Sequence, residues 1–418
     1  MKLKSTFNYN QLLAVSLYLT LVFGFYIDEN LNFGAIPDWE HTDLPVINGL
    51  SQDIKKTLLD YDSYGHRHSP VYLIFLSLFK KIGFSFDNIR FLHLNLSLFL
   101  IIYFYKCLVL KFSKVEKNLL LLLSLSIFLS PTFRSLAIWP SSRIIGLIFF
   151  VISIYEFLKY LETSKKIYIW KNIIFLIISS YISPNFSLFI ILFLYHYLKK
   201  NIFKDLIAIL LFCLISSLPA FYYIFVLDIN FLMAETPGTN LKSSISLSYN
   251  LSDKILIISS ILFFHLSPFL INREFILDFM KPPKKEFLII SIFFIISLFF
   301  FNYQTNFTGG GVFFQLSNFF FNNNYFFYLI SFISLMLLGN FSRNNINNFL
   351  VFFLLILSNI QNTIYHKYYD PIILILFFTL IINPLNFKFF ENRNRIYFVY
   401  IFYLIFIFMR IIKNNYLS

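Results

Sequence analysis

Apolar residues fill most of the chain in long blocks, and short polar stretches separate them. Runs that can span a bilayer fall at 11–27, 91–110, 118–131, 143–160, 172–183, 185–198, 203–226, 254–271, 287–301, 325–340, 348–364, 371–384 and 397–412. A crossing helix needs about 20 apolar residues. The pattern therefore predicts an all-α, polytopic membrane protein with about thirteen transmembrane helices, some of them short. The pair within 172–198 is split at Ser183-Pro184-Asn185 and reads as two short helices or one kinked helix. The first run follows an early positive region, MKLK, with no small-x-small cleavage site after it. It reads as a first transmembrane helix with a cytoplasmic N-terminus rather than a signal peptide.

The longest break in the apolar pattern is residues 28–90, the first loop outside the membrane. Within it, DLPVINGLSQDIKKTLLDY carries Val46, Ile47, Leu50, Ile54 and Leu58 at helical spacing, opposite Asp53, Lys55 and Lys56. This predicts an amphipathic helix lying in the interface, with Asp43 as its cap and Pro45 in its first turn. A second helix, PVYLIFLSLFKKI, is predicted after Ser69 as N-cap, with Pro70 at the first helical position and Gly83 as the stop. About 13 residues give ~20 Å, too short to span, so it dips into the outer leaflet with Lys80 and Lys81 snorkelling outward. The polar turn DYDSYGHRHS joins the two.

Composition strengthens the membrane reading. The 418 residues are 58% hydrophobic and only 13% charged, with a mean hydropathy of +0.71; a soluble domain carries about 25% charge. The net charge of +13 reflects topology. With the N-terminus inside, the cytoplasmic segments hold about 21 of the 34 Lys and Arg, as the positive-inside rule expects. The basic residues form no patch or nucleic-acid motif, so no nucleic-acid partner is expected. Cys107 and Cys213 both fall in apolar runs and specify neither a disulfide framework nor a zinc site. No internal repeat appears, and the chain reads as one domain, 1–418. The acids are distributed differently. Asp28, Glu29, Asp38, Glu40, Asp43, Asp53, Asp60, Asp62 and Asp87 are nine of the 21 carboxylates, all in the first outside loop.

A first span, an outside acidic cluster, an interfacial helix, a His-x-Pro-x-Tyr element, a short apolar helix ending in Gly and an Arg opening the next span follow one another. This order resembles the glycosyltransferase C superfamily, in particular the family 39-like membrane transferases. PDWEHTD (37–43), HSPVYLIFLSLFKKIGFS (68–85) and DNIRFLHLNLSLFLIIYFY (87–105) carry the resemblance, and SPTFRSLAIWPSSRIIGLIFFVISIY is similar to the family's third and fourth spans. About 120 residues match in order. Asp38-Trp39-Glu40 stands where the family usually has adjacent Asp-Glu, and Ser69-Pro70 where it has Pro-Pro. The resemblance implies transfer of a sugar from a polyprenyl-phosphate donor to a lipid, glycan or protein hydroxyl. The reaction would take place on the periplasmic face of a bacterial inner membrane.

Such a transfer needs a carboxylate to deprotonate or orient the acceptor and cations to receive the departing phosphate. Asp38 and Glu40 are the candidate bases, with Asp43 third. Arg67, Arg90, Arg134, Arg143 and Lys367 are candidate phosphate ligands, since they offer fixed charge and several donors. His66 and His68 could join them, or hold a divalent metal ion with a nearby Asp, but an i, i+2 pair without a third ligand specifies no metal. Arg90 could equally pair with Asp87. The late stretch NTIYHKYYDP places His366, Lys367, Tyr368 and Tyr369 where they could close over a sugar-phosphate. TNFTGGGVFFQ reads as a flexible lid. Two other classes fit an apolar chain. A glycan polymerase or ligase centres on a large late outside loop with arginines, but 302–324 has no charged residue. A lipid or glycan transporter carries charges inside its spans and often repeats its halves, and neither feature is prominent here.

Overall fold

The computed structural model describes residues 9–32, 34–66, 68–200, 203–229, 251–270, 283–304, 309–343, 345–359, 361 and 363–416. Every regular element among them is helical. Seven helices are long and apolar enough to cross a membrane: Tyr9–Tyr26, Phe86–Lys111, Ser142–Thr163, Asp205–Val226, Leu251–Phe269, Tyr325–Ser342 and Asn394–Asn415. Two bent pairs, Lys117–Leu129 with Pro131–Ile138 (66°) and His366–Thr379 with Pro384–Glu391 (93°), raise the number to nine if each is one span. These helices mark a multi-pass membrane protein. The other four apolar runs lie on helices of 16, 10, 16 and 12 residues, below the length of a crossing. Length and composition therefore support seven to nine spans among the described residues. Two of these helices, Ile190–Lys199 and Ile346–Leu357, are shorter than the apolar runs that carry them.

Ser142–Thr163 and Leu251–Phe269 are the most enclosed spans, with 78% and 72% of their apolar windows buried; Asp205–Val226, at 6%, lies at the edge. Hydropathy does not separate these places, because all the spans are rich in Phe, Leu and Ile. Small and polar residues do. Gly146 lets Ile167–Ile182 approach so closely that an added Cβ would sit 2.6 Å from that of Ser183. The Ser179 hydroxyl donates to the Gly146 carbonyl at 2.7 Å. Asn172 donates to the Ser153 carbonyl (2.9 Å) and accepts from the Tyr197 hydroxyl (2.8 Å). Close backbones and interhelical hydrogen bonds hold helices together where no hydrophobic effect separates protein from lipid.

Between the first two spans, the single amphipathic helix predicted over 43–61 is broken. A π-turn, Asp38–Asp43, runs into Leu44–Gln52, and Asp53 takes an extended backbone and caps a new helix, Ile54–Leu59, by accepting from the Lys56 N–H at 2.9 Å. Asp43 makes no side-chain cap. Val46, Ile47 and Leu50 are buried against the Pro70–Lys81 helix, so protein rather than lipid covers this face. The second helix has the predicted Ser69 cap, Pro70 start and Gly83 stop, with Gly83 at φ 98°. Lys80 does not point freely outward; its ammonium lies 4.2 Å over the Phe86 ring. The 172–198 break resolves into two helices joined by a 3-10 turn, Pro184–Phe189. Between the apolar runs 118–131 and 143–160 the chain forms the helix Pro131–Ile138, all of it buried.

Candidate functional site

The π-turn sets the site's acids. Trp39 is buried edge-on to Phe86, with ring centroids 6.3 Å apart. With Trp39 anchored, Asp38 and Glu40 stay exposed and Asp43 turns inward. Glu40 has no hydrogen bond or ion pair among the described residues. Asp38 Oδ2 accepts from Lys367 Nζ at 3.0 Å, joining groups 329 residues apart. The late polar stretch thus meets the first loop on one face of the molecule.

Asp43 meets His66. The Oδ1–Nε2 distance is 2.5 Å, and both side chains are buried. Nδ1 of His66 receives the His68 backbone N–H at 3.1 Å, which leaves the ring proton on Nε2 to donate to Asp43. The Tyr61 hydroxyl sits 2.9 Å from Nδ1 and donates to the His68 carbonyl at 2.7 Å. Burial pushes the Asp43 carboxyl above its ordinary 3.8, and the hydrogen bond from His66 opposes that rise. His66 is therefore a partner of Asp43, enclosed by Tyr61 and out of reach of a surface phosphate. The His68 ring lies edge-on to it, with centroids 5.3 Å apart. Arg67 lies outside the described residues.

The arginines divide. Arg134 makes a two-pronged pair with Glu29, 2.6 and 2.7 Å, and also donates to the Thr20 carbonyl at 3.0 Å. Arg90 pairs with Asp28 at 2.8 Å more closely than with Asp87 at 3.4 Å, and stacks 3.7 Å over Trp139. Both guanidiniums fasten the end of the first span to its neighbours. Arg143 makes no ion pair among the described residues. Its guanidinium lies 3.7 Å over the Tyr368 ring, within electrostatic reach of Asp38 and Lys367.

His366 and Lys367 face opposite ways. His366 Nε2 accepts from the Val312 N–H at 2.8 Å, and its Nδ1 lies 3.1 Å from Nε2 of His265. Gly310 N–H donates to the Ile364 carbonyl at 2.9 Å. Gly309, Gly310 and Gly311 all have positive φ, and an added Cβ on Gly309 would meet the Ile364 carbonyl oxygen at 2.6 Å. The glycines predicted as a free lid are thus docked on the late turn, and 305–308 lie outside the described residues. Asp370 closes that turn from inside, accepting from Ser130 Oγ at 2.6 Å and from the Tyr403 hydroxyl at 3.3 Å. Sequence reasoning missed His265, Asp370, Ser130 and Tyr61. Their only signal was a polar side chain within or beside an apolar run.

Two cavities adjoin this cluster. A small one of about 30 Å³ is lined by Arg143, Asn359 and Tyr368 together with the apolar Phe186, Phe189 and Leu355, among others. An apolar one of about 720 Å³ runs between Pro70–Lys81, Ile167–Ile182 and the Asp205–Val226 span, past Pro184 and Ser187. The 183–187 segment is a wall of both. A third, apolar cavity of about 300 Å³ includes Lys111, whose ammonium donates to the Thr379 and Ile381 carbonyls at 2.8 Å each and so caps a helix end. Among the described residues, no group of three or more His, Cys, Asp or Glu is placed to hold a metal ion. The cluster therefore offers an accessible carboxylate, a buried His-held carboxylate, two cations and an adjacent apolar groove. No family model matches the chain, and neither a curated protein nor a solved structure gives a significant match.

Proposed function

We propose that the chain is a membrane glycosyltransferase that moves a sugar from a polyprenyl-phosphate donor to a lipid, glycan or protein hydroxyl. One observation carries the reading. An apolar groove and a small cavity that includes Arg143 are lined by neighbouring residues of the 183–187 segment, and Lys367, next to Tyr368 of that cavity, pairs with the carboxylate of Asp38. A lipid phosphate has that division of character: a long apolar tail and a compact anionic head.

In this reading Lys367 holds Asp38 at rest. The donor phosphate draws Lys367 to itself and leaves Asp38, whose side chain is 52% exposed, to take the acceptor proton. The acceptor oxygen bonds to the anomeric carbon as that carbon's bond to the phosphate oxygen breaks. The electron pair leaves with the phosphate, whose charge Lys367 and Arg143 meet. Asp43 and His66 fix the turn that presents Asp38. The face bearing the site is the periplasmic one of a bacterial inner membrane, with the N-terminus cytoplasmic. The shorter helices complete about thirteen crossings inside the bundle.

Donor turnover in membranes, across a panel of polyprenyl-phospho-sugars, tests this. Wild type should consume one donor, Asp38→Asn should lose at least about 100-fold, and Glu40→Gln should retain activity. Turnover undiminished in Asp38→Asn removes the assigned base. No turnover with any donor removes the reading.

A further inference from the structure

The last span carries two basic residues on the face that packs inward. Its buried positions include Ile396, Val399, Tyr403 and Phe406, and steps of three and four continue that stripe to Arg410 and Lys413. Arg410 is partly buried and Lys413 emerges at the helix end. The Arg410 guanidinium stands 5.4 Å over the Phe406 ring, against which His265 and His366 also pack, with centroids 5.8 Å away in each case. Asn414 fixes the helix end by donating to the Asn30 and Leu31 carbonyls at 3.0 and 3.3 Å. The two cations thus lie on the His366 side of the late turn, whereas Lys367 and Arg143 lie on its Asp38 side. Neither has a hydrogen bond or ion pair among the described residues. The acid within electrostatic reach of Arg410 is Asp370, whose oxygens already accept from Ser130 and Tyr403. The charge within reach of Lys413 is Arg410 itself. Like charges three residues apart on one helix face repel, and a cation on the inward stripe of a span calls for a partner. One anion between them answers both.

We propose that Arg410 and Lys413 form a second anion site, which binds a phosphate monoester at the membrane surface. The guanidinium offers paired donors to the phosphoryl oxygens and the ammonium a mobile point charge. Together they match the two charges such an ester carries. A lipid of the surrounding leaflet and a soluble molecule share this chemistry. The site stands apart from the glycosyl-transfer reading, and no sugar donor enters its test.

Two probes separate the sources. Purified full-length protein in phosphatidylcholine nanodiscs is titrated calorimetrically with glycerol 3-phosphate, and phosphatidic acid retained from doped nanodiscs is counted by native mass spectrometry. Arg410→Met and Lys413→Met each remove a charge that lacks an acid partner, so both should melt no lower than wild type in phosphatidylcholine. Each should weaken the bound ester at least about 10-fold. Lys81→Met, an exposed lysine on another helix, should leave binding unchanged. Phosphatidic acid held by wild type and lost in both variants supports the site with a lipid ligand. Glycerol 3-phosphate bound by wild type and lost in both supports it with a ligand from solution. Binding equal in wild type and both variants overturns the site, as does binding of neither probe by wild type. A loss confined to one variant overturns the pairing, and an equal loss in Lys81→Met reduces the effect to general surface charge and overturns the site.

Discussion

Replacing Arg134 with methionine separates a structural clamp from a phosphate ligand. The Arg134 side chain is 8% exposed and that of Glu29 is 17% exposed, so solvent screens the pair little. Two short charge-assisted bonds join them, and Trp139 Nε1 fixes the Glu29 backbone by donating to its carbonyl at 2.9 Å. Removing one partner leaves a buried carboxylate with no cation, which costs about 3–5 kcal/mol. That is roughly a hundred- to several-thousand-fold in the ratio of folded to unfolded protein. Glu29→Gln with Arg134→Met removes both charges and should recover most of the loss, with a coupling of at least about 2 kcal/mol in a double-mutant cycle. Reversible unfolding in bilayers by steric trapping supplies the four stabilities. A double variant no more stable than Arg134→Met would refute the clamp. If the double variant folds but no longer binds donor, Arg134 is the phosphate ligand that its position in the sequence suggests.

Lys367→Met should weaken donor binding at least about 10-fold, because it removes an ammonium aimed at the phosphate; a donor Kd equal to wild type contradicts the exchange of partners with Asp38. His66→Leu should make stability more sensitive to pH. Burial holds the Asp43 carboxyl above 3.8 and His66 pulls it down. The folded state therefore binds this proton more tightly than the unfolded state, and stability falls as pH rises from 3.8 through the folded value. Without His66 that fall should extend to higher pH, and melting curves across pH 5–8 that parallel wild type would refute the pairing. Asn172→Leu should destabilise by about 1–3 kcal/mol, since it leaves the buried Tyr197 hydroxyl without its acceptor; a melting temperature equal to wild type would show that the network is dispensable.

The helix Pro70–Lys81 was legible from the sequence because its signals are local. Ser69, Pro70 and Gly83 are a cap, a start and a stop that need no distant partner. The helix over 43–61 was misread because its break depends on tertiary packing. Gly49 lies where an added Cβ would meet Tyr64 Oη at 2.7 Å and Thr57 Oγ1 at 2.9 Å, a fit invisible to periodicity. The arginines were equivalent as sequence. Arg90 and Arg134 became clamps because Asp28 and Glu29 fold back onto them, and Arg143 has no ion pair among the described residues.

By itself, the sequence determined that the chain is helical and crosses a membrane, since uninterrupted apolar runs have no other stable form in lipid. It also determined that nine of the 21 carboxylates concentrate between Asp28 and Asp87. Only the tertiary structure decided which charges meet. Asp38 finds Lys367 across 329 residues, and His66 turns to Asp43 instead of the surface. Hydropathy is summed along a local stretch of chain. Pairing depends on where helix ends, caps and turns deliver individual side chains in space.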